Sequence, residues 1–181
     1  MKRETGRTRL ESVIGIGLSL SVLTFMAAPA AHAEDDEYSG PGGSCTEVTT
    51  ESHRIKLVEG EGDWVIWGAE QDVEIAEING PGSLILRNFG NVKIVRKNGG
   101  GSLTVCDDIK SIEILKLDGP GSAFLRNRGY KKIHSKNGDG NIFFRAAPPI
   151  LSHKMEGAGR IIRSSGDSDG TARQCAAPDL R

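Results

Sequence analysis

The chain has 181 residues, with 23 Lys and Arg against 24 Asp and Glu, and a formal net charge of −1. This balance excludes a polybasic nucleic-acid-binding domain and a strongly acidic tail protein. The length fits one domain with a modest core.

The N-terminal segment has the three parts of a secretory signal peptide. Four basic residues lie within the first nine positions, residues 13–28 are mostly apolar and uncharged, and Ala31-His32-Ala33 has the small-x-small form of a cleavage site. We expect cleavage after Ala33, so that residues 1–33 are removed and an acidic linker, 34–39, begins the mature chain. A retained membrane anchor is the alternative, but the run is shorter than the ~20 apolar residues that span a bilayer. The prediction is export to the periplasm, the cell surface or the medium.

A Gly-x-Gly motif then recurs at intervals of 19 or 20 residues. Its first glycines are Gly40, Gly60, Gly80, Gly99, Gly119, Gly138 and Gly157. Asn or Asp often precedes the motif, and both residue types, like Gly, accept the positive φ of a sharp corner. Residues 80–98 and 119–137 agree at 12 of 19 positions, which indicates a larger unit of two repeats.

Each repeat contains two short apolar stretches that are typical of β-strands. After the first corner, the fifth and seventh positions are apolar in every central repeat, as in Trp64/Ile66, Leu84/Leu86, Leu103/Val105, Ala123/Leu125 and Ile142/Phe144. The recurring Gly-x-Gly and the β-branched content argue against a helical repeat. We therefore predict an all-β protein, a single-domain parallel β-solenoid over residues 40–163, with about seven rungs and two short strands per rung.

The ends of the stack bear on assembly, because open strand edges promote aggregation. The first rung is polar at 44–47, and a polar tail that we expect to be flexible covers 164–181. These ends favour a monomer or a small oligomer over a fibre.

The sixth and eighth rung positions are predicted to point outward and to form a candidate binding face. The residues assigned to this face are Trp67, Ile85, Arg87, Phe124, Arg126, Phe143 and Arg145. Apolar stripes beside arginines are typical of interfaces, and the expected partner is a cell-envelope component, a glycan or a second copy of the chain. Two alternatives remain: plain β-propensity on a solvated sheet, or a second layer of the same molecule that covers the face.

No catalytic, metal-binding or cofactor-binding motif is predicted. His134 and His153 occupy the same position in adjacent rungs, but two histidines are too few for zinc, and we expect them to be exposed and unconnected. Asp107 and Asp108 beside the arginine stripe are the best candidate catalytic cluster. The pairing of Cys45, Cys106 and Cys175 stays open, although an oxidising compartment permits disulfides.

The sequences GGGS at Gly99 and GDGN at Gly138 resemble the Gly-x-Gly-Asn of curli-type repeats. The coil pattern over residues 40–163 is also similar to the adhesin-head β-helices of bacterial surfaces. These rungs carry Lys, Arg and Glu in place of Gln and Asn ladders, and their period is shorter. The resemblance therefore implies an adhesive or structural surface role, with a small carbohydrate-active enzyme and a curli-like fibre subunit as alternatives.

Overall fold

The computed structural model describes residues 35–40, 45–145, 147–151 and 154–164. Residues 1–33, Cys175 and His153 lie outside this part of the chain. The described residues form strands only. The strands are β1 (Asp36–Gly40), β2 (Cys45–Thr49), β3 (Arg54–Gly60), β4 (Asp63–Trp67), β5 (Val73–Ile78), β6 (Leu84–Arg87), β7 (Asn91–Lys97), β8 (Leu103–Val105), β9 (Ser111–Asp118), β10 (Ala123–Leu125), β11 (Lys131–Asn137), β12 (Ile142–Phe144), β13 (Ile150–Leu151), β14 (Met155–Glu156) and β15 (Ile161–Arg163).

Successive strands alternate between two parallel sheets. Sheet A has the order β1-β3-β5-β7-β9-β11-β13, with β14 also paired to β11, and sheet B has the order β15-β12-β10-β8-β6-β4-β2. Every strand pairs in parallel with its equivalent one rung away, as when Leu84 lies opposite Leu103. The chain winds through about six turns, because seven Gly-x-Gly corners enclose six complete repeats. The predicted all-β parallel β-solenoid with two strands per rung is confirmed.

The core lies between the two sheets, and its composition confirms the predicted inward positions. From sheet B, Ile66, Leu86 and Val105 are fully buried, and Ile75 and Ile94 meet them from sheet A. Burial of each such side chain contributes about 1.5–3 kcal/mol before conformational entropy is subtracted. One continuous apolar column therefore holds the rungs together.

The repeated glycines are required by the close stacking of the corners. Gly119 has φ +86°, which disfavours any side chain, and a Cβ added to Gly121 would lie 2.0 Å from the Gly101 carbonyl oxygen. The same approach recurs along the stack, with backbone bonds such as the one that Gly101 N donates to Gly80 O. The Gly-x-Gly spacing thus reflects backbone-to-backbone contact between rungs.

Two buried lysines explain the larger unit of two repeats. Lys97 and Lys136 lie in one inward column with Leu117 between them, and each donates a hydrogen bond to a corner carbonyl, of Gly99 and Gly138 respectively. Lys97 is 2% exposed, and its burial lowers the pKa of the ammonium from 10.5 to about 8. In this column a lysine in one rung is therefore followed by an apolar side chain in the next rung and by a lysine again in the one after.

The two ends of the described stack differ in polarity. Ile150, Met155 and Ile161 are large apolar side chains that remain exposed on the last rung. At the opposite end, the Tyr38 and Thr50 hydroxyls both donate hydrogen bonds to the Asp36 carboxylate. The predicted polar tail over 164–181 lies outside the described residues, apart from Ser164.

Candidate functional site

The candidate face on sheet B points outward, but its centre is not exposed. Val65, Ile85 and Cys106 form a second apolar cluster outside the coil, with Trp67 packed against it. Ile85 is 5% exposed and Cys106 is fully buried. The expectation of an accessible face therefore fails in its central rungs.

Arg87 and Arg126 are also buried, each with 6% exposure. The Arg87 guanidinium lies 4.1 Å from the centroid of the Trp67 ring, and Arg87 Nε is 3.7 Å from Asp108 Oδ2. A cation held over an aromatic ring and beside a carboxylate is anchored in the fold. Asp108 is thus a structural partner of Arg87, which weakens the Asp107–Asp108 pair as a catalytic cluster.

The partly accessible part of this face lies further along the stack. The Phe124 and Phe143 rings stack in parallel, with centroids 4.8 Å apart and an interplanar angle of 6°. Both rings are half-buried, and so is Arg145. A binding role for the seven assigned residues stays a prediction. Trp67 and these three are the half-buried ones, whereas Ile85, Arg87 and Arg126 are buried.

The outward face of sheet A carries a column of alternating charge that runs along the stack. Consecutive members lie opposite one another in successive strands, in the order Arg54, Glu74, Lys93, Glu113 and Lys132. Lys93 Nζ lies 2.7 Å from Glu74 Oε2, and Lys132 Nζ lies 3.4 Å from Glu113 Oε1. The ion pairs fix the long side chains and leave a flat, hydrophilic surface.

A polar column lies two residues earlier on the same strands. The Asp72 carboxylate accepts hydrogen bonds from the backbone and side-chain amides of Asn91, at 2.7 and 3.0 Å. The Ser111 hydroxyl then donates to Asn91 Oδ1, and Tyr130, 50% exposed, follows Ser111 in the next rung. The column therefore ends at an open aromatic ring.

The two columns enclose a shallow groove of about 410 Å³ on sheet A. Its lining residues are His53, Asp72, Val73, Glu74, Asn91, Val92, Lys93, Ser111, Glu113 and Tyr130. The groove combines amide, hydroxyl and carboxylate groups with one exposed aromatic ring. Its lining holds three carboxylates and one lysine. Lys93 and Lys132 form ion pairs with Glu74 and Glu113, so the charges of the groove are largely balanced.

His134 is connected to this surface, contrary to the expectation of an unconnected histidine. Its Nε2 lies 2.6 Å from Glu113 Oε1. Glu113 lies opposite Lys132 in the neighbouring rung, so the contact with His134 is diagonal. The hydrogen bond from His134 lowers the pKa of the Glu113 carboxyl, with a further contribution from Lys132. His153, its predicted neighbour, lies outside the described residues.

Two of the groove carboxyls, those of Asp72 and Glu113, have a pKa below its usual value. The pKa of Asp72 is lowered by its hydrogen bonds from Asn91, as that of Glu113 is by His134. A glycoside hydrolase needs one carboxyl that stays protonated to act as an acid. The arrangement instead offers fixed hydrogen-bond acceptors, and the described portion of the chain holds no group of three or more potential metal ligands.

Cys106 is disulfide-bonded, whereas Cys45 is an exposed free thiol. Cys106 lies directly after β8 and is therefore at the centre of the covered face on sheet B. The disulfide at Cys106 is thus located within the buried cluster of this face.

The fold places the chain in the class of parallel β-solenoid repeat proteins. No protein-family model matches the chain, and neither a curated protein nor a solved structure matches it. Within the part of the chain that the structure describes, no helix is long and apolar enough to cross a membrane.

Sequence reasoning missed the groove because it aligned the repeats on their first strands. When the repeats are aligned on their second strands, Asp72, Asn91 and Ser111 each directly precede the first inward residue of the strand. Tyr130 holds the same position in the next rung. That column of polar residues was the available signal.

Proposed function

We propose that the protein is an exported, non-enzymatic β-solenoid of the cell envelope that adheres to a glycan through the groove on sheet A. The observation that carries this proposal is the exposed Tyr130 ring at the end of the Asp72-Asn91-Ser111 hydrogen-bonded column. An aromatic ring offers an apolar face to a sugar ring, while amide, hydroxyl and carboxylate groups bond to its hydroxyls.

The charge of the groove favours a particular chemical class of glycan. Asp72, Glu74 and Glu113 line it together with one lysine, Lys93. Because Lys93 and Lys132 pair with Glu74 and Glu113, the groove has little net charge to attract an ionic polysaccharide, and its fixed hydrogen-bonding groups fit a neutral one. The groove is wide and open, so a single sugar unit binds weakly, and repeated units along a polymer supply avidity.

Export is part of this proposal, and two features support it. The three-part leader over residues 1–33 is typical of secretory signals. The disulfide at Cys106 fits an oxidising compartment.

The proposal is tested by titrating the protein with short neutral, amino-sugar and acidic oligosaccharides, followed by NMR or calorimetry. Tyr130→Ala should weaken binding of the preferred class about fivefold, since an aromatic contact is worth about 1 kcal/mol. Lys116→Ala is the matched control, because Lys116 is exposed on the same sheet but does not line the groove.

Three outcomes would contradict the proposal. Tighter binding of the acidic oligosaccharide, or equal binding by wild type and Tyr130→Ala, would remove the groove as the binding site. Cleavage of any oligosaccharide, detected by mass spectrometry, would replace adhesion with the carbohydrate-active enzyme.

A fibre subunit is the second candidate, and the exposed apolar residues on the last rung favour it. Ile150, Met155 and Ile161 would be buried if another copy continued the stack. Sedimentation analysis of wild type and Met155→Lys tests this function: concentration-dependent growth that Met155→Lys abolishes would support it.

A further inference from the structure

The covered face on sheet B needs an occupant. Ile85 and Thr104 point out of the coil, yet they are 5% and 1% exposed, and the described residue packed on their apolar cluster is Trp67 at its edge. Arg87 and Arg126 project from the same sheet, and each is only 6% exposed. All of these positions lie on one face.

We propose that the C-terminal segment 165–181 runs back along this face and is fastened to it by a disulfide between Cys106 and Cys175. The chain has three cysteines; Cys106 is disulfide-bonded and Cys45 is free, which leaves Cys175 as the partner within the chain.

The path of the chain supports this assignment. The Ser164 amide donates to Phe144 O, as the equivalent Arg126 and Cys106 amides donate to Val105 O and Leu86 O. Ser164 thus lies in the same outward column as Cys106. The strand order β15-β12-β10-β8 separates them by three strand spacings, or about 14 Å. The eleven residues from 165 to 175 reach about 36 Å when extended, so the span is easily bridged.

The charges of the segment complement the column that it would cross. Arg145 and Arg126 lie between Ser164 and Cys106 in that column, and the segment carries Asp167 and Asp169 before Cys175. Beyond the cysteine, Ala176-Ala177-Pro178 is uncharged and would meet the cluster around Ile85. A carboxylate placed against a buried guanidinium forms the strong class of hydrogen bond.

Formation of this bond is a two-electron oxidation. The Cys106 and Cys175 thiols lose two protons and two electrons as the S–S bond forms, and a disulfide-bonded oxidant accepts them and becomes a dithiol.

The inference does not depend on glycan binding, since the segment covers sheet B and the groove lies on sheet A.

The direct test is peptide mapping of the full chain purified under oxidising conditions, alkylated and digested without reduction. We expect a peptide pair linked through Cys106 and Cys175 and an alkylated Cys45. A free Cys106, a Cys106–Cys45 link or a link between two copies of the chain would overturn the proposal. Cys45→Ser is the control and should leave the linked pair unchanged.

The covering role is tested separately on reduced protein, by the rate at which a maleimide labels Cys106 in the native state. Replacement of Asp167 and Asp169 by Lys, or termination after Ser164, should raise that rate at least about tenfold, because the segment leaves the face. Unchanged slow labelling in the Lys variant with an intact β-sheet spectrum would refute the covering role. If the truncated chain does not fold, the labelling rate of the Lys variant still tests the covering role, and the wild-type peptide map still tests the disulfide.

Discussion

Replacement of Lys97 by Met tests how the corners of the solenoid are closed. The ammonium is 2% exposed, with one hydrogen bond of 3.3 Å to Gly99 O. A pKa of about 8 instead of 10.5 corresponds to about 3 kcal/mol, which is what burial of the charge costs at neutral pH. Met retains the length of the side chain and removes the charge, at the cost of the hydrogen bond, which is worth about 1 kcal/mol. We expect Lys97→Met to be more stable than wild type by about 2 kcal/mol at pH 7.

The pH dependence of this difference is the sharper observable. Between about pH 8 and pH 10.5 the unfolded chain keeps its Lys97 proton while the folded chain has lost it, so wild-type stability rises with pH in this interval. Below about pH 8 Lys97 is protonated in both the folded and the unfolded chain, and burial of its charge keeps its full cost of about 3 kcal/mol. Because Met does not titrate, wild type should gain about 3 kcal/mol relative to the variant between pH 7.5 and pH 10.5, so that the variant becomes the less stable protein by about 1 kcal/mol at pH 10.5.

Urea unfolding of wild type and Lys97→Met at several pH values measures this gap. Lys116→Met is the control, because Lys116 lies in β9 but is exposed, and its difference from wild type should stay near zero at every pH. A gap between wild type and Lys97→Met that does not change from pH 7.5 to pH 10.5 would refute the argument that burial depresses the pKa of Lys97.

Three further predictions concern corners, core and export. Gly121→Ala should destabilise the fold by several kcal/mol in thermal melts, because its Cβ would lie 2.0 Å from a backbone oxygen, whereas Gly100→Ala, with open space around it, should change stability by less than about 0.5 kcal/mol; equal effects would contradict the corner packing. Leu86→Asp should abolish cooperative unfolding, since it places an unpaired carboxylate in the core; a mild loss would show that the inward parity is wrong. Mass spectrometry of protein secreted by an expression host should find Glu34 as the first residue, and a mature chain that keeps residues 13–28 would exclude the predicted cleavage.

The fold was predictable from the sequence because it rests on local, repeated constraints. The corners require glycine, as the contact between Gly121 and Gly101 demonstrates, and the inward strand positions require apolar side chains such as Leu86. Both constraints recur every 19 or 20 residues, so the repeat itself reveals the period, the strands and the core.

The surface was less predictable, since its contacts combine residues from different rungs. Arg87 was predicted to be outward and therefore exposed, but the parity of a strand determines direction and not coverage; Trp67 and Asp108 enclose Arg87 from neighbouring rungs. Glu113 of the groove makes a diagonal contact with His134 in the next rung, which a rung-by-rung alignment does not predict.

Hydroxyl-radical footprinting with and without the preferred oligosaccharide tests most directly which face of the solenoid binds. We expect the ligand to protect Tyr130 from oxidation and to leave the oxidation of Phe124 and Phe143 on sheet B unchanged. Protection of Phe124 and Phe143 with no change at Tyr130 would contradict it and return the binding site to sheet B.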